Sequence, residues 1–318
     1  MSFSFAGLPR GRATRGLPMP VFGILAALWF GLGGACSRSQ PASAGGAAAG
    51  SASAAAQQPW RGKRLELFVG TASKPPTEAA ARAFEARTGA TLELHFGGSG
   101  KMLTEMKLAE RGDLYFPGSS DYMEKAKREG LVDGATEARV VYLIPAINVP
   151  RHSAKNITSM ADLAAPGVRV GIARPDTVCV GLYGVEVLEK MGLSAAVRKN
   201  IVTYAESCEK TATLVSLDAV DAVLGWEVFE HWDPEHIRTI RLPNDQVPRI
   251  GYIPIAVARF AKEPALAQAF IAFLLSDEGK AIFKKWHYLT TEAEARAFAL
   301  PSTPVGGEWT LPATWIAK

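Results

Sequence analysis

The sequence predicts an α/β fold in which parallel strands alternate with helices on both faces of the sheets. Short apolar segments typical of strands alternate with helical segments between residues 65 and 286. Hydrophobic residues make up 48% of the 318 residues and charged residues 21%, so the chain can build a large core and is not disordered overall. Its 3 cysteines are too few for a small domain held together by disulfides.

The elements follow one another at regular intervals. The predicted strands are 65–69, 91–96, 113–116, 168–173, 201–204 and 220–224. The predicted helices are 78–88, which ends at Gly89, and 101–111, 121–130, 180–191, 208–217, 264–275 and 277–286. Residues 140–149 form an apolar run interrupted by Pro145, and the segments 242–243 and 252–254 are predicted as proline-marked crossings.

The N-terminal segment predicts export. Three arginines in the first 20 residues precede the apolar run Val21–Leu32, which is too short to span a bilayer and long enough for a signal-peptide core. The following Gly33-Gly34-Ala35-Cys36 resembles the lipobox of bacterial lipoproteins, which predicts residues 1–35 as signal peptide and lipidation of Cys36. Because Gly33 replaces the usual aliphatic residue, cleavage after Ala35 without lipidation remains open.

Residues 36–59 are rich in Ala, Gly and Ser and predict a flexible tether to a folded body beginning near Trp60. The net charge of +4 falls to +1 without the three N-terminal arginines, because 32 basic and 31 acidic residues remain. The body therefore has no basic excess that would favour nucleic acid.

Small hydroxyl residues and glycines follow several predicted strands. Helix N-termini at such strand ends direct N–H and O–H donors to one point and favour anions. Each serine could instead cap its own helix. The repetition favours a shared pocket, formed by the segments 70–73, 97–101, 117–120, 175–179 and 207–208.

The same segments carry a family resemblance. From Leu65 to about Tyr288 the chain resembles the periplasmic molybdate-binding proteins, which are type II substrate-binding proteins of ABC importers. The resemblance rests on the segments FVGTAS (68–73), FGGSGKML (96–103), GDLYF (112–116), PDTVCVGLY (175–183), DAVDAVLGW (218–226) and SDEGKAIF (276–283).

The resemblance implies a bilobal fold of two doubly wound α/β lobes joined by two hinge segments. The first lobe would comprise residues 60–144 and 245–318, and the second residues 145–244. Ligand held in the cleft between the lobes would favour their closed arrangement. The implied protein is a monomeric, periplasmic or cell-surface binding protein, without cofactor or metal, that delivers its ligand to an ABC permease in the cytoplasmic membrane.

The resemblance also implies the ligand and its contacts. Molybdate or tungstate would accept hydrogen bonds from the hydroxyls of Ser73 and Ser99 and from backbone N–H groups at Cys179 and Cys208. Trp226 would stand at the family's tyrosine position, where its indole can only donate. Such a lining suits a fully deprotonated tetrahedral oxyanion, but which oxyanion is bound stays open.

The two cysteines leave alternatives open. In an oxidising compartment Cys179 and Cys208 could form a disulfide, or they could be small apolar residues. They could also serve as thiol ligands in a receptor for arsenite or a soft metal ion. A catalytic cysteine is disfavoured because no histidine lies near either one in the sequence, and the chain is predicted not to be an enzyme.

Overall fold

The computed structural model describes residues 58–316. The predicted signal peptide, Cys36 and nearly all of the predicted tether lie outside the described residues. Within residues 58–316, no helix combines the length and the apolar character needed to cross a bilayer.

Ten strands and ten α-helices form the described part of the chain. The strands are β1 Arg64–Gly70, β2 Thr91–Gly97, β3 Leu114–Phe116, β4 Ala138–Leu143, β5 Pro145–Pro150, β6 Val170–Ala173, β7 Ile201–Ala205, β8 Ala222–Trp226, β9 Ile237–Arg241 and β10 Gly251–Val257. The helices are α1 Lys74–Thr88, α2 Ser99–Ala109, α3 Ser120–Arg128, α4 Cys179–Lys190, α5 Ser194–Val197, α6 Cys208–Ser216, α7 Phe229–Trp232, α8 Pro264–Leu275, α9 Asp277–Lys285 and α10 Glu292–Arg296.

The strands form two five-stranded sheets, in the orders β2-β1-β3-β10-β4 and β7-β6-β8-β5-β9. Strands β1, β2 and β3 are parallel, as are β6, β7 and β8, whereas β10 and β5 run antiparallel to their neighbours. We call the first sheet with α1, α2, α3, α8 and α9 the first lobe, and the second sheet with α4, α6 and α7 the second lobe. The predicted bilobal α/β fold is confirmed, although the sheets are mixed and not wholly parallel.

A single residue separates the two sheets at the first crossing. Strand β4 ends at Leu143 in the first sheet, and β5 begins at Pro145 in the second. Ile144 between them accepts a hydrogen bond from Glu227 N at 2.9 Å. The apolar run predicted at residues 140–149 therefore consists of parts of two buried strands, and each strand belongs to a different sheet.

The crossing predicted at residues 252–254 is wrong. These residues lie within β10, a buried strand between β3 and β4. The register with β4 shifts between Ile253 and Pro254, which fits the missing N–H of proline. The second crossing instead occupies residues 242–250, between β9 and β10.

Helix α1 begins at Lys74, four residues before its predicted start. Two prolines occupy its first turn, where a missing N–H costs no helical hydrogen bond.

The C-terminal segment contacts both lobes. Trp309 N donates to Asp121 Oδ1 of α3 at 2.9 Å, and Trp315 Nε1 donates to Glu189 Oε1 of α4 at 2.9 Å. The assignment of this segment to the first lobe stays a prediction.

Candidate functional site

Five helix N-termini lie at the contact between the two lobes. Helices α1, α2 and α3 follow strands β1, β2 and β3 of the first sheet, while α4 and α6 follow β6 and β7 of the second. The lobes touch here, because Gly100 N donates to Thr177 O at 2.9 Å and Cys208 N to Thr71 Oγ1 at 3.0 Å. We call this contact region the cleft. Each helix brings partial positive charge to it.

Ser99 and Gly118 hold the first-lobe side of the cleft. Ser99, 1% exposed, accepts a hydrogen bond on Oγ from Gly118 N at 2.9 Å. A Cβ at Gly118 would lie 2.5 Å from Cys179 Sγ of the second lobe, so only glycine permits this approach. The Ser99 hydroxyl uses a lone pair for Gly118, and its hydrogen faces the sulfur of Cys179.

Cys179 and Cys208 form the facing side. Their sulfurs are 3.5 Å apart, both residues are buried, and both thiols are free. The structure thus has two unbonded thiols where the sequence allowed a disulfide. Burial raises the pKa of the Cys179 thiol, the Cys208 thiol raises it further, and a hydrogen bond with Ser99 opposes the rise. The neutral thiol is therefore favoured.

Ser73 lies at the start of α1, close to the cross-lobe contact made by Thr71. It is fully buried, and its Oγ accepts from Thr77 Oγ1 at 3.1 Å, while no bond from its side chain caps α1 within the described structure. Lys74 beside it pairs with Glu209 of the second lobe at 2.7 Å. The capping explanation therefore fails for Ser73, whereas Ser207 does cap α6 through Lys210 N.

Trp226 lies at the end of β8, on the side of the cleft nearer the crossings. Its ring stands edge-on to that of Tyr183, with centroids 4.9 Å apart. Both residues are fully buried. Neither Trp226 Nε1 nor Tyr183 Oη has a hydrogen-bond partner among the described residues.

A buried ion network borders this pair of rings. Arg249 lies over the Tyr183 ring, 4.0 Å from its centroid, and its guanidinium contacts Asp121 of the first lobe at 2.9 Å and Glu186 of the second at 2.7 Å. Burial lowers the pKa of Arg249, but Tyr183 and the two carboxylates outweigh it and raise the pKa overall. Burial likewise raises the pKa of Glu186, and Arg249 opposes that rise. Arg249 thus joins both lobes.

The structure brings three of the five predicted residues together directly, namely Ser99, Cys179 and Cys208. Ser73 lies two residues beyond Thr71, which contacts Cys208, and Trp226 lies on the crossing side of the same region. Sequence reasoning missed further cleft residues, which are Thr71, Gly118, Ser119, Tyr183 and Arg249. The first four stand inside segments that the sequence singled out, but nothing in the sequence around Arg249 indicated its role.

A second polar cluster lies on strands β1 and β2, where Glu66, Glu93 and His95 could together offer three metal ligands. Each carboxylate already has a cation, because Arg111 contacts Glu66 at 3.3 Å and Arg64 pairs with Glu93. His95 Nε2 lies 2.8 Å from Glu66 Oε1. This arrangement is a satisfied ion-pair network, and we assign no metal to it.

A histidine pair bridges the lobes outside the cleft. The rings of His231 in α7 and His287 beyond α9 stack with centroids 3.7 Å apart. Partial burial lowers the pKa of His231 below its usual 6.5, and the charge on His287 lowers it further. The folded protein therefore favours neutral His231.

We expect this pair to weaken the fold in acid. Below about pH 6.5 the unfolded chain binds a proton at His231 more readily than the folded one, so the free energy of unfolding falls. Between pH 7.5 and 5, the free energy of unfolding measured in urea should fall less in the His231→Asn variant than in the wild type. His236 provides a control in the opposite direction, because Asp233 raises its pKa and the folded protein binds that proton more readily. The free energy of unfolding should therefore fall more steeply with acid in His236→Asn. An unchanged pH profile in His231→Asn would contradict the assignment.

The chain belongs to a known family. The family model for bacterial extracellular solute-binding proteins matches residues 65–289. That family consists of solute-binding proteins and not enzymes, as the sequence predicted.

Two relatives match most of the chain. A putative binding protein of Haemophilus influenzae is 25% identical over 224 residues, which cover 69% of this chain and 88% of the relative. The molybdate-binding protein ModA of Rhodobacter capsulatus is 25% identical over 242 residues, covering 72% of this chain and 89% of the relative.

Two solved structures share the fold. The periplasmic molybdate-binding protein of Azotobacter vinelandii superposes with a TM-score of 0.64 at 18% identity, over 72% of this chain and 100% of that one. The sulfate-binding protein SubI of Mycobacterium tuberculosis gives 0.65 at 15% identity, over 76% and 94%. The predicted similarity to molybdate-binding proteins is confirmed.

Proposed function

We propose that the protein is the substrate-binding component of an ABC importer and holds a tetrahedral oxyanion, molybdate or tungstate, in the cleft. The contact of Ser99 and Gly118 with Cys179 across the two lobes carries this proposal. It brings the Ser99 hydroxyl and several helix N-termini to one buried place. The relative named for molybdate binding supports the same ligand class.

The lining proposed for the ligand consists mainly of donors. Ser73 and Ser99 each accept a hydrogen bond from the protein, so each hydroxyl has a hydrogen to donate. The Ser99 hydrogen, which faces Cys179 in this structure, would turn to the anion. The N-termini of α4 and α6 at Cys179 and Cys208, and the Trp226 indole, would add donors from the second lobe. An oxyanion without hydrogens satisfies such a lining, whereas a protonated one would lack an acceptor.

The rest of the proposal concerns the protein's surroundings. Residues 1–35 would direct export, Cys36 would carry the lipid anchor, and the tether would let a monomeric body reach a membrane permease. The lobes would comprise 60–144 with 245–318, and 145–244, and would close around the ligand. Support for this division comes from the crossings at Ile144 and at 242–250.

Calorimetry of the purified protein tests the ligand. Molybdate and tungstate should bind, and sulfate and phosphate should bind less tightly. Ser99→Ala should weaken molybdate binding by roughly 10- to 100-fold, because a hydrogen bond to a charged group is lost. Ser153→Ala on the surface is the control and should bind like the wild type. Absence of heat with every oxyanion would refute the proposal.

A second candidate function follows from the free thiols. Two sulfurs 3.5 Å apart, with Ser99 beside them, could hold a soft ion. Arsenite, As(OH)₃, would condense with both thiols, forming two As–S bonds and releasing two waters. Arsenite binding that requires reductant and disappears in Cys179→Ser would favour this function. No arsenite binding in the presence of reductant would exclude it.

A further inference from the structure

Three buried donors lie on the crossing side of the cleft. Ser119, Tyr183 and Trp226 are each 0% exposed. Ser119 Oγ, Tyr183 Oη and Trp226 Nε1 have no hydrogen-bond partner within residues 58–316, and one acceptor nearby, Asp121 Oδ2, also has none there. Burying such a group without a partner destabilises the fold, so three neighbouring instances need a cause.

These donors belong to one region. Ser119 directly follows Gly118, whose position for a Cβ lies 2.5 Å from Cys179 Sγ. Tyr183 lies one helical turn beyond Cys179 on the same face of α4, and its ring contacts Trp226. Arg249 further connects the region, since it lies over Tyr183 and contacts Asp121, two residues beyond Ser119.

The Ser119 hydroxyl does not cap its own helix. It occupies the N-cap position of α3, where a serine commonly accepts from the helix backbone, yet its side chain makes no capping bond in the described structure. Its neighbour Ser120 is equally buried and donates to Gly307 O at 2.7 Å. Of these two adjacent serines of the same burial, only Ser120 has a partner in the described structure.

We propose that Ser119 and Tyr183, with Trp226, form a second group of donors that binds the oxyanion on the crossing side and sets its specificity. This inference rests on the proposed function and adds residues to its site. The nearby cation Arg249 already faces two carboxylates, so neutral donors meet the charge of the ligand here. The indole can only donate, so the ligand oxygen that faces it carries no hydrogen.

Comparing variants of the adjacent residues Ser119 and Ser120 tests this inference. Without ligand, Ser119→Ala and Tyr183→Phe remove groups that lack partners, so their thermal midpoints should equal or exceed that of the wild type. Calorimetry should show about tenfold weaker molybdate binding in each. Ser120→Ala should do the reverse, with a lower midpoint and unchanged affinity. Tyr252→Phe, whose hydroxyl faces Glu137, should also retain full affinity.

Two results would overturn the inference while leaving the proposed function intact. One is wild-type affinity in both Ser119→Ala and Tyr183→Phe. The other is a fall in their ligand-free midpoints as large as that in Ser120→Ala, which would mean that the protein itself satisfies these hydroxyls. If the wild type binds neither molybdate, tungstate nor sulfate, the proposed function fails and this inference fails with it.

Discussion

The Arg249→Met variant should lose about 3–5 kcal/mol of unfolding free energy at neutral pH, because removing one partner of a buried ion pair leaves the other charge uncompensated. The Arg249 side chain is 4% exposed, and Asp121 and Glu186 are 7% and 10% exposed. The deficit should shrink in acid, since burial already raises the pKa of Glu186 and protonation would remove its charge. Urea unfolding followed by tryptophan fluorescence at pH 7.5 and 5 measures both effects.

Arg128→Met is the matched control for this variant. Arg128 pairs with Glu308 at the surface, where solvent weakens such an interaction, so its loss should leave the urea midpoint almost unchanged. If Arg249→Met were as stable as Arg128→Met, the network would not join the lobes energetically.

Gly118→Ala should weaken ligand binding by roughly 10- to 100-fold while the protein stays folded. The added methyl would lie 2.5 Å from Cys179 Sγ and 2.7 Å from Ala72 Cβ. The contact with Cys179 is between the lobes and therefore opposes their approach, whereas the contact with Ala72 lies within the first lobe and should lower the stability of that lobe. Calorimetry gives the affinity, and small-angle scattering should show a larger radius of gyration with saturating molybdate.

Gly134→Ala serves as the comparison. Its new methyl would meet only the flexible side chain of Lys127, at 3.1 Å, and Gly134 lies in the short 3-10 helix Gly134–Thr136, which has no buried residues. It should bind molybdate like the wild type. A Gly118→Ala protein that binds and compacts normally would show that this contact does not govern closure.

The fold could be predicted from the sequence where a local pattern of residues determines the strand or helix. Alternating strands and helices gave the α/β class, and α8 was predicted with its observed bounds, 264–275. Strand β10 was misread because Pro254 indicates a break locally, yet the strand is stabilised by long-range pairing with β3 and β4. Pairing between residues more than a hundred positions apart leaves no signal in a short window.

The site was predictable in its segments but not in its partners. Ser99 and Cys179 stand out because they begin helices after strands. Whether the hydroxyl of a serine finds a partner in the protein depends on contacts with residues distant in the sequence, which differ even between Ser119 and Ser120. Arg249 could not be foreseen, since its two carboxylates lie on separate helices far away in the sequence.

The junction at Ile144 constrains how this molecule can move. Strands β4 and β5 are tied by one residue, while β9 and β10 are connected by the longer segment 242–250. A linker of one residue allows almost no translation of one lobe along the other, so any relative motion of the lobes at this point has to be a rotation. The backbone torsions of the single buried residue Ile144 therefore help to set the angle between the lobes, while the longer segment 242–250 can adapt to that angle.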